Sequence, residues 1–410
     1  MSLQTRHLLV PSLLLFAAAA GCYWSARLGR ADWLSHKGTL ASARKSVELA
    51  PGNSVYLEHA AEVTEAFGGN GIPLRERAAA ANPLDSANWI ILSTRAEIEN
   101  RSGEAERDLL RAYDADRQFE TRWSLANFYF RRGDRERALT WSRKTLEFGS
   151  GDLSAVFQLL WNVSGNGTEI LEKAIPLRSL VLGQYLQYLD GSGRLGEASG
   201  AAQKLVPIAR PEQQDALATH CGRCLDAGRV EEAVAAWNGM IARGLLNGDP
   251  IKPEAGQPLE NANFARKFSG VGFDWAAPKV EDVLVQRQPE TSGIRIAFLA
   301  NAPENCGILS EHIVLSPRRK YRLQYRYETI GMSGAGIRWV ITDGATRTVL
   351  TTLGPPSAAA DSGEHTVEAT FETPPACRLA TLELRYDREP GTVRPQGSIR
   401  FSHLHLEFAQ

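Results

Sequence analysis

Few groups of residues in this 410-residue chain have the types and spacing to do chemistry. His220-Cys221-Gly222-Arg223-Cys224 sets a CxxC pair beside an imidazole. A zinc site needs four ligands, and no second Cys or His cluster sits nearby in sequence. A thioredoxin-like dithiol needs a βαβ setting, which is absent. The pair therefore reads as helix residues, at least one of them packed between helices. His403-Leu404-His405 lacks a third ligand and reads as a solvated strand pair. The chain has no G-x-S-x-G, no H-E-x-x-H and no phosphate loop. Glycoside hydrolysis needs two carboxylates across a cleft, and no spacing pairs any two here. The expectation is a protein that is not an enzyme, with no catalytic residue, no metal and no cofactor.

Ligand binding has better candidates. Sugar sites use aromatic faces against pyranose rings and planar polar groups for hydroxyls. Trp275, Trp339 and Tyr386 supply rings. Trp339 and Tyr386 lie in phase with apolar strand residues, which reads as core. Arg338 and Arg385 point the other way, and Trp275 sits in a loop-like segment. The candidate ligand-binding set is Asp274, Trp275, Arg338, Arg385 and Arg388. Cys306 and Cys377 each stand at the start of a predicted strand, and an oxidising compartment would allow them to form a disulfide.

These residues depend on elements that change character at residues 247–275, NGDPIKPEAGQPLENANFARKFSGVGFDW. Before this stretch the apolar residues recur with a helical period. Trp89 and Trp123 lie 34 residues apart, Ala105 and Ala138 lie 33 apart, and Pro51 and Pro83 lie 32 apart. A period near 34 built of two helices is the tetratricopeptide (TPR) signature. Small residues such as Ala105 and Ala112 let paired helices approach closely. Arg132-Gly133-Asp134, Gly193-Arg194-Leu195 and Gly228-Arg229-Val230 read as glycine turns. We expect five or six hairpins stacked as a solenoid, whose concave face would take a protein partner.

After the joint the period becomes two. Tyr321, Leu323, Tyr325 and Tyr327 alternate with polar residues, as do Ile337, Trp339 and Ile341, and Leu382, Leu384 and Tyr386. The last strand changes parity between Phe401 and Leu404, which predicts a bulge near Ser402-His403. About nine strands suffice for a two-sheet jelly roll. Asn261-Ala262-Asn263-Phe264 reads as its first edge strand. The fold class is an N-terminal α-solenoid followed by a C-terminal antiparallel β-sandwich. The domains run 1–26 (signal or anchor), 27–246 (helical repeats), 247–258 (linker) and 259–410 (sandwich).

At the N-terminus, Arg6 and His7 precede the apolar run Leu8 to Ala20. Ala19-Ala20-Gly21-Cys22 resembles a bacterial lipobox, which would place a lipid on Cys22. Alternatively, Leu8 to Ala26 forms an uncleaved anchor. Both readings attach the protein to the cell membrane, with its bulk on the extracytoplasmic, periplasmic side. A net charge of −1 gives no support for a nucleic-acid partner.

The opening Leu259-Glu260-Asn261-Ala262-Asn263-Phe264, then Gly272-Phe273-Asp274-Trp275 and Arg385-Tyr386-Asp387-Arg388, resemble the galactose-binding-like jelly-roll modules that bind carbohydrate. The whole chain is similar to bacterial exported tetratricopeptide proteins with such a C-terminal domain. The resemblance implies a setting in exopolysaccharide or O-antigen assembly and a possible polysaccharide ligand. It implies no mechanism. An enzyme acting on envelope carbohydrate at the domain joint, and a sandwich that merely caps the solenoid, remain as alternatives.

Overall fold

The computed structural model describes residues 3–299, 301–355 and 363–409, with side chains from residue 12 onward. The chain divides into two compact units, Met1–Ile175 and Pro176–Gln410. The last two helical hairpins therefore share a unit with the sandwich.

The first unit is built of helices paired in sequence order. They are α1 (Leu3–Ser35), α2 (Leu40–Leu49), α3 (Ser54–Ala66), α4 (Ile72–Ala81), α5 (Ser86–Ile98), α6 (Ser102–Ala115), α7 (Phe119–Arg131), α8 (Arg135–Phe148) and α9 (Ser154–Ser164). A single turn, α10 (Gly167–Glu169), then runs into π-helical Ile170–Ala174. Starts are fixed by side chains that satisfy otherwise free amides: Asn53 accepts from Val55 and Tyr56, Asp85 from Ala87, and Asp134 from Arg137. Small residues bring the helices together, and Ala105, Ala112, Ala126 and Ala138 are fully buried. Among the described residues no helix is long and apolar enough to cross a membrane. The side chains of Arg6, His7 and the start of the apolar run lie outside the described residues, while Cys22 is exposed.

The second unit opens with α11 (Ser179–Gly191), α12 (Leu195–Leu205), α13 (Gln214–Asp226) and α14 (Val230–Ala242). The glycine turns recur with one geometry. Gly133, Gly193 and Gly228 have φ of 72°, 72° and 70°. The next residue in each case donates back across the turn: Asp134 to Tyr129, Arg194 to Leu189 and Arg229 to Cys224, at 2.8–2.9 Å. This is the left-handed helix end that glycine adopts without a Cβ penalty.

Among the described residues nine strands follow: β1 (Val283–Gln288), β2 (Gly293–Phe298), β3 (Asn305–Val314), β4 (Lys320–Ser333), β5 (Ile337–Asp343), β6 (Val349–Leu353), β7 (His365–Glu372), β8 (Leu379–Asp387) and β9 (Gln396–Phe408). They form antiparallel sheets in the orders β1-β2-β9-β4-β7 and β3-β8-β5-β6. The alternating residues meet between the sheets. Tyr321, Leu323, Tyr325, Trp339, Leu382, Leu384, Tyr386 and Phe401 are all fully buried there. The parity change in β9 is a bulge: Gln324 pairs with His405 but Arg326 pairs with Ser402, and His403 has φ 52°.

Two expectations are corrected. Asn261–Phe264 is a turn, not an edge strand, because Asn261 and Phe264 adopt φ of 53° and 55°. The Asn261 side chain holds it, with Oδ1 accepting from Arg266 N (3.0 Å) and Nδ2 donating to Arg266 O (3.1 Å). Asparagine tolerates this conformation through such local bonds. Cys306 and Cys377 are both free thiols. Cys306 pairs across from Tyr386, whereas Cys377 precedes the opposite end of β8. At about 3.3 Å per residue they stand roughly 25–30 Å apart along the ladder, far beyond the about 7 Å that a disulfide spans.

Candidate functional site

The connector after α14 is pinned near its middle, at Ile251 and Pro253. The Asn238 side chain brackets Ile251, accepting from its N–H (2.8 Å) and donating to its carbonyl (3.0 Å). Ser316 Oγ donates to the Pro253 carbonyl at 3.2 Å. Gly256 has φ 71°, and a Cβ there would sit 2.2 Å from the Phe408 ring. The connector thus lies along the sandwich and makes one wall of a cleft of about 690 Å3.

Asp249, Lys252 and Gln257 come from the connector, and Glu260, Asn261, Asn263 and Arg266 from the turn beyond it. His403 and His405 come from the bulged strand β9. The bulge brings both imidazoles to the same cleft. Among the described residues no Phe, Tyr or Trp lines it. The arrangement can donate and accept hydrogen bonds from planar side chains, the chemistry that holds hydroxyl or peptide groups.

The floor is acidic and buried. Glu260 is 5% exposed and forms an ion pair with Arg266. Burial raises its pKa, with Arg266 opposing. Beneath it, Glu311 on β3 is 2% exposed, and its Oε1 accepts from the Glu260 N–H at 2.7 Å. Burial pushes the Glu311 carboxyl well above the ordinary carboxylate range, with the Glu260 N–H opposing.

The sequence-based candidates do not converge on this cleft. Trp275 is fully buried: its ring packs on Phe264 (5.4 Å) and Trp339 (5.8 Å), and its Nε1 donates to Asn261 O at 3.2 Å. Trp275 is therefore core and offers no face to a ligand. Asp274 also turns inward on its own loop, accepting from Ser269 N (2.7 Å) and Trp275 N (2.9 Å). Arg338 and Arg385 are brought together as cross-strand neighbours on β5 and β8. Both reach Asp387 at 2.7 Å. Burial alone would raise the Asp387 pKa, but Arg385 and Arg338 outweigh it and hold it below the usual value. Arg388 ties a separate loop, donating to Glu304 (2.8 Å) and to Thr392 O (2.9 and 3.0 Å). The cleft residues Lys252, Gln257 and Arg266 escaped the sequence reading, because a proline- and glycine-rich connector carries no periodic signal. The parity break in β9 marked the bulge at His403, but the two histidines themselves read only as a solvated strand pair.

A second feature joins the last hairpin to the sandwich. The rings of Trp237 on α14 and Phe273 meet edge to face at 5.8 Å. Arg378 reaches Glu231 at 2.6 Å. The CxxC lies behind this contact. Cys221 and Cys224 are fully buried; His220 Nδ1 meets Asp190 Oδ1 at 3.0 Å and its Nε2 meets Cys224 Sγ at 3.5 Å. Burial opposes protonation of His220, but Asp190 and Cys224 overcome it and raise its pKa to about 9.

In the first unit, α4 and α5 border a groove of about 490 Å3. Ile72, Thr94 and Arg95 line it together with Ile91 and Ile98, which are 38% and 68% exposed.

No family model matches the chain, and no curated protein matches it. Solved structures similar to parts of it are of both kinds. A CBM4 structure shares 10% identity over 37% of this chain and 99% of that one, with a TM-score of 0.29. The MamA protein shares 14% over 42% and 96%, with a TM-score of 0.33. The C-terminal part of a TPR repeat-containing protein from Cytophaga hutchinsonii shares 15% over 53% and 95%, with a TM-score of 0.27.

Proposed function

We propose that the protein is a non-catalytic scaffold of the cell envelope that serves exopolysaccharide assembly. Its N-terminal segment holds it at the membrane, with the bulk on the extracytoplasmic side. The helical repeats take a protein partner. The sandwich takes a glycan, or a second polypeptide, in the cleft between connector and turn. The cleft carries this reading: amide, imidazole, ammonium and guanidinium groups converge on one open space, and its deepest carboxyl, on Glu260, is engaged by Arg266. With no Phe, Tyr or Trp among the described lining residues, a sugar would be held mainly by hydrogen bonds rather than by stacking on a large ring.

Isothermal titration of the full chain against polysaccharide extracted from the native cells tests this. We expect binding that weakens about tenfold in the double variant Asn263→Ala/His405→Ala, as two lost polar contacts would give, with an unchanged melting temperature. Release of reducing ends during the titration would instead favour the carbohydrate-acting enzyme. Failure of every extracted polysaccharide to bind would remove the glycan half of the proposal.

One observation favours a second reading, in which the sandwich caps the helices. The Trp237–Phe273 contact and the Arg378–Glu231 pair bind it to the last hairpin, and terminal repeats need such a cover.

A further inference from the structure

The first unit holds a group of cations with no acidic partner. Tyr113 on α6 is surrounded by Arg117 (5.6 Å from its ring centroid), Arg122 (5.6 Å) and Lys144 (5.8 Å). Arg122 also lies 3.7 Å over Phe148, and Lys144 lies 3.9 Å over Trp141. Tyr113 and Trp141 pack edge to face at 4.8 Å. Among the described residues, none of these three cations makes a salt bridge. Their neighbours do: Arg131 pairs with Glu97 and Arg137 with Glu106, both at 2.6 Å, and Arg143 with Glu147 at 3.7 Å.

Arg122 is only 5% exposed. Its Nη1 donates to Lys144 O at 2.8 Å, and its Nε has no partner. Three positive charges around one ring repel one another, and a buried cation without a counter-ion is costly. The aromatic faces offset part of that cost. A carboxylate arriving beside Tyr113 would neutralise the group. Next to the charges, Phe148 is 51% exposed. The patch therefore presents cations and an apolar face together, at the C-terminal ends of α6 and α8 and the start of α7.

We propose that this patch docks an acidic peptide segment in which carboxylate side chains alternate with apolar ones. Carboxylates would meet Arg117 and Lys144, next to the buried charge of Arg122, and an apolar side chain would lie on Phe148. A purely polyanionic ligand would leave the Phe148 face bare. The inference rests on the reading that the helical repeats take a protein partner, and it names that partner's chemistry.

The test is fluorescence anisotropy of the full chain with a short, labelled peptide alternating glutamate and phenylalanine. The variant is Arg117→Gln/Lys144→Gln, which leaves buried Arg122 in place. We expect saturable binding that falls with added salt. The variant should lose about tenfold or more in affinity, without a lower melting temperature because like-charge repulsion is relieved. Absence of binding, equal affinity in the variant, or tighter binding of polyphosphate or of phosphatidylglycerol vesicles would overturn the proposal. Recovery of the same membrane partners by wild type and variant in affinity purification would also overturn it, while leaving the protein-partner reading intact. Peptide binding by a wild type that captures no partner from the membrane would instead count against that wider reading.

Discussion

Replacing Trp275 by alanine separates a packed residue from a binding one. The side chain is fully buried between Phe264 and Trp339, and its indole N–H supplies a bond to the Asn261 carbonyl. Truncating a buried Trp costs about 3–5 kcal/mol through lost burial and the cavity left behind. The orphaned carbonyl adds about 1 kcal/mol. For a unit of roughly 200 residues each kcal/mol lowers the melting temperature by about 2–4 °C, so a fall on the order of 10 °C is expected. Differential scanning calorimetry would read it as a shift in the transition of the second unit. Trp275→Phe keeps most of the ring contact and should recover more than half of the loss. A fall below about 2 °C for Trp275→Ala, under 1 kcal/mol on that scale, would refute the packing argument and return Trp275 to the surface.

Two further outcomes follow from local geometry. His220 has its pKa raised from 6.5 to about 9 by its partners, so the imidazolium–Asp190 pair stabilises the fold fully below about pH 6.5. That contribution, on the order of 3 kcal/mol at most, is lost as pH rises through 9; the stability difference between wild type and Asp190→Asn should therefore shrink from pH 6 to pH 9, and a difference constant with pH would refute the pair. Gly272 and Gly270 have φ of 63° and 74°, but a Cβ on Gly272 would lie 2.5 Å from the Trp237 ring while one on Gly270 would meet nothing. Gly270→Ala should cost about 1–2 kcal/mol of backbone strain and Gly272→Ala measurably more by chemical denaturation; equal losses would refute the close approach.

The regular parts were legible because their periods differ. The strand alternation placed Trp339 and Tyr386 in the core, and the parity break in β9 located the bulge at His403. The repeated glycine turns were equally plain. Irregular backbone was not. Asn261 and Asn263 mimic strand alternation, yet Asn261 sits in the left-handed region and reverses the chain. Trp275 lies outside any strand, so no phase revealed that it fills the core. The thiols of Cys306 and Cys377 each precede or begin a strand, but those strands run antiparallel, which sends the two starts to opposite ends. The cleft depends on a connector held by Asn238 and Ser316, contacts between residues far apart in sequence.

The contact of Trp237 with Phe273 bears on how such a chain could be assembled by gene fusion. Gly272 must stay bare for the Trp237 ring to close over it. A sandwich cut free at the connector would carry Phe273 into water and strip Trp237 of its cover. The joint is thus a matched pair, and transplanting the β half onto another repeat array would require carrying its last hairpin along.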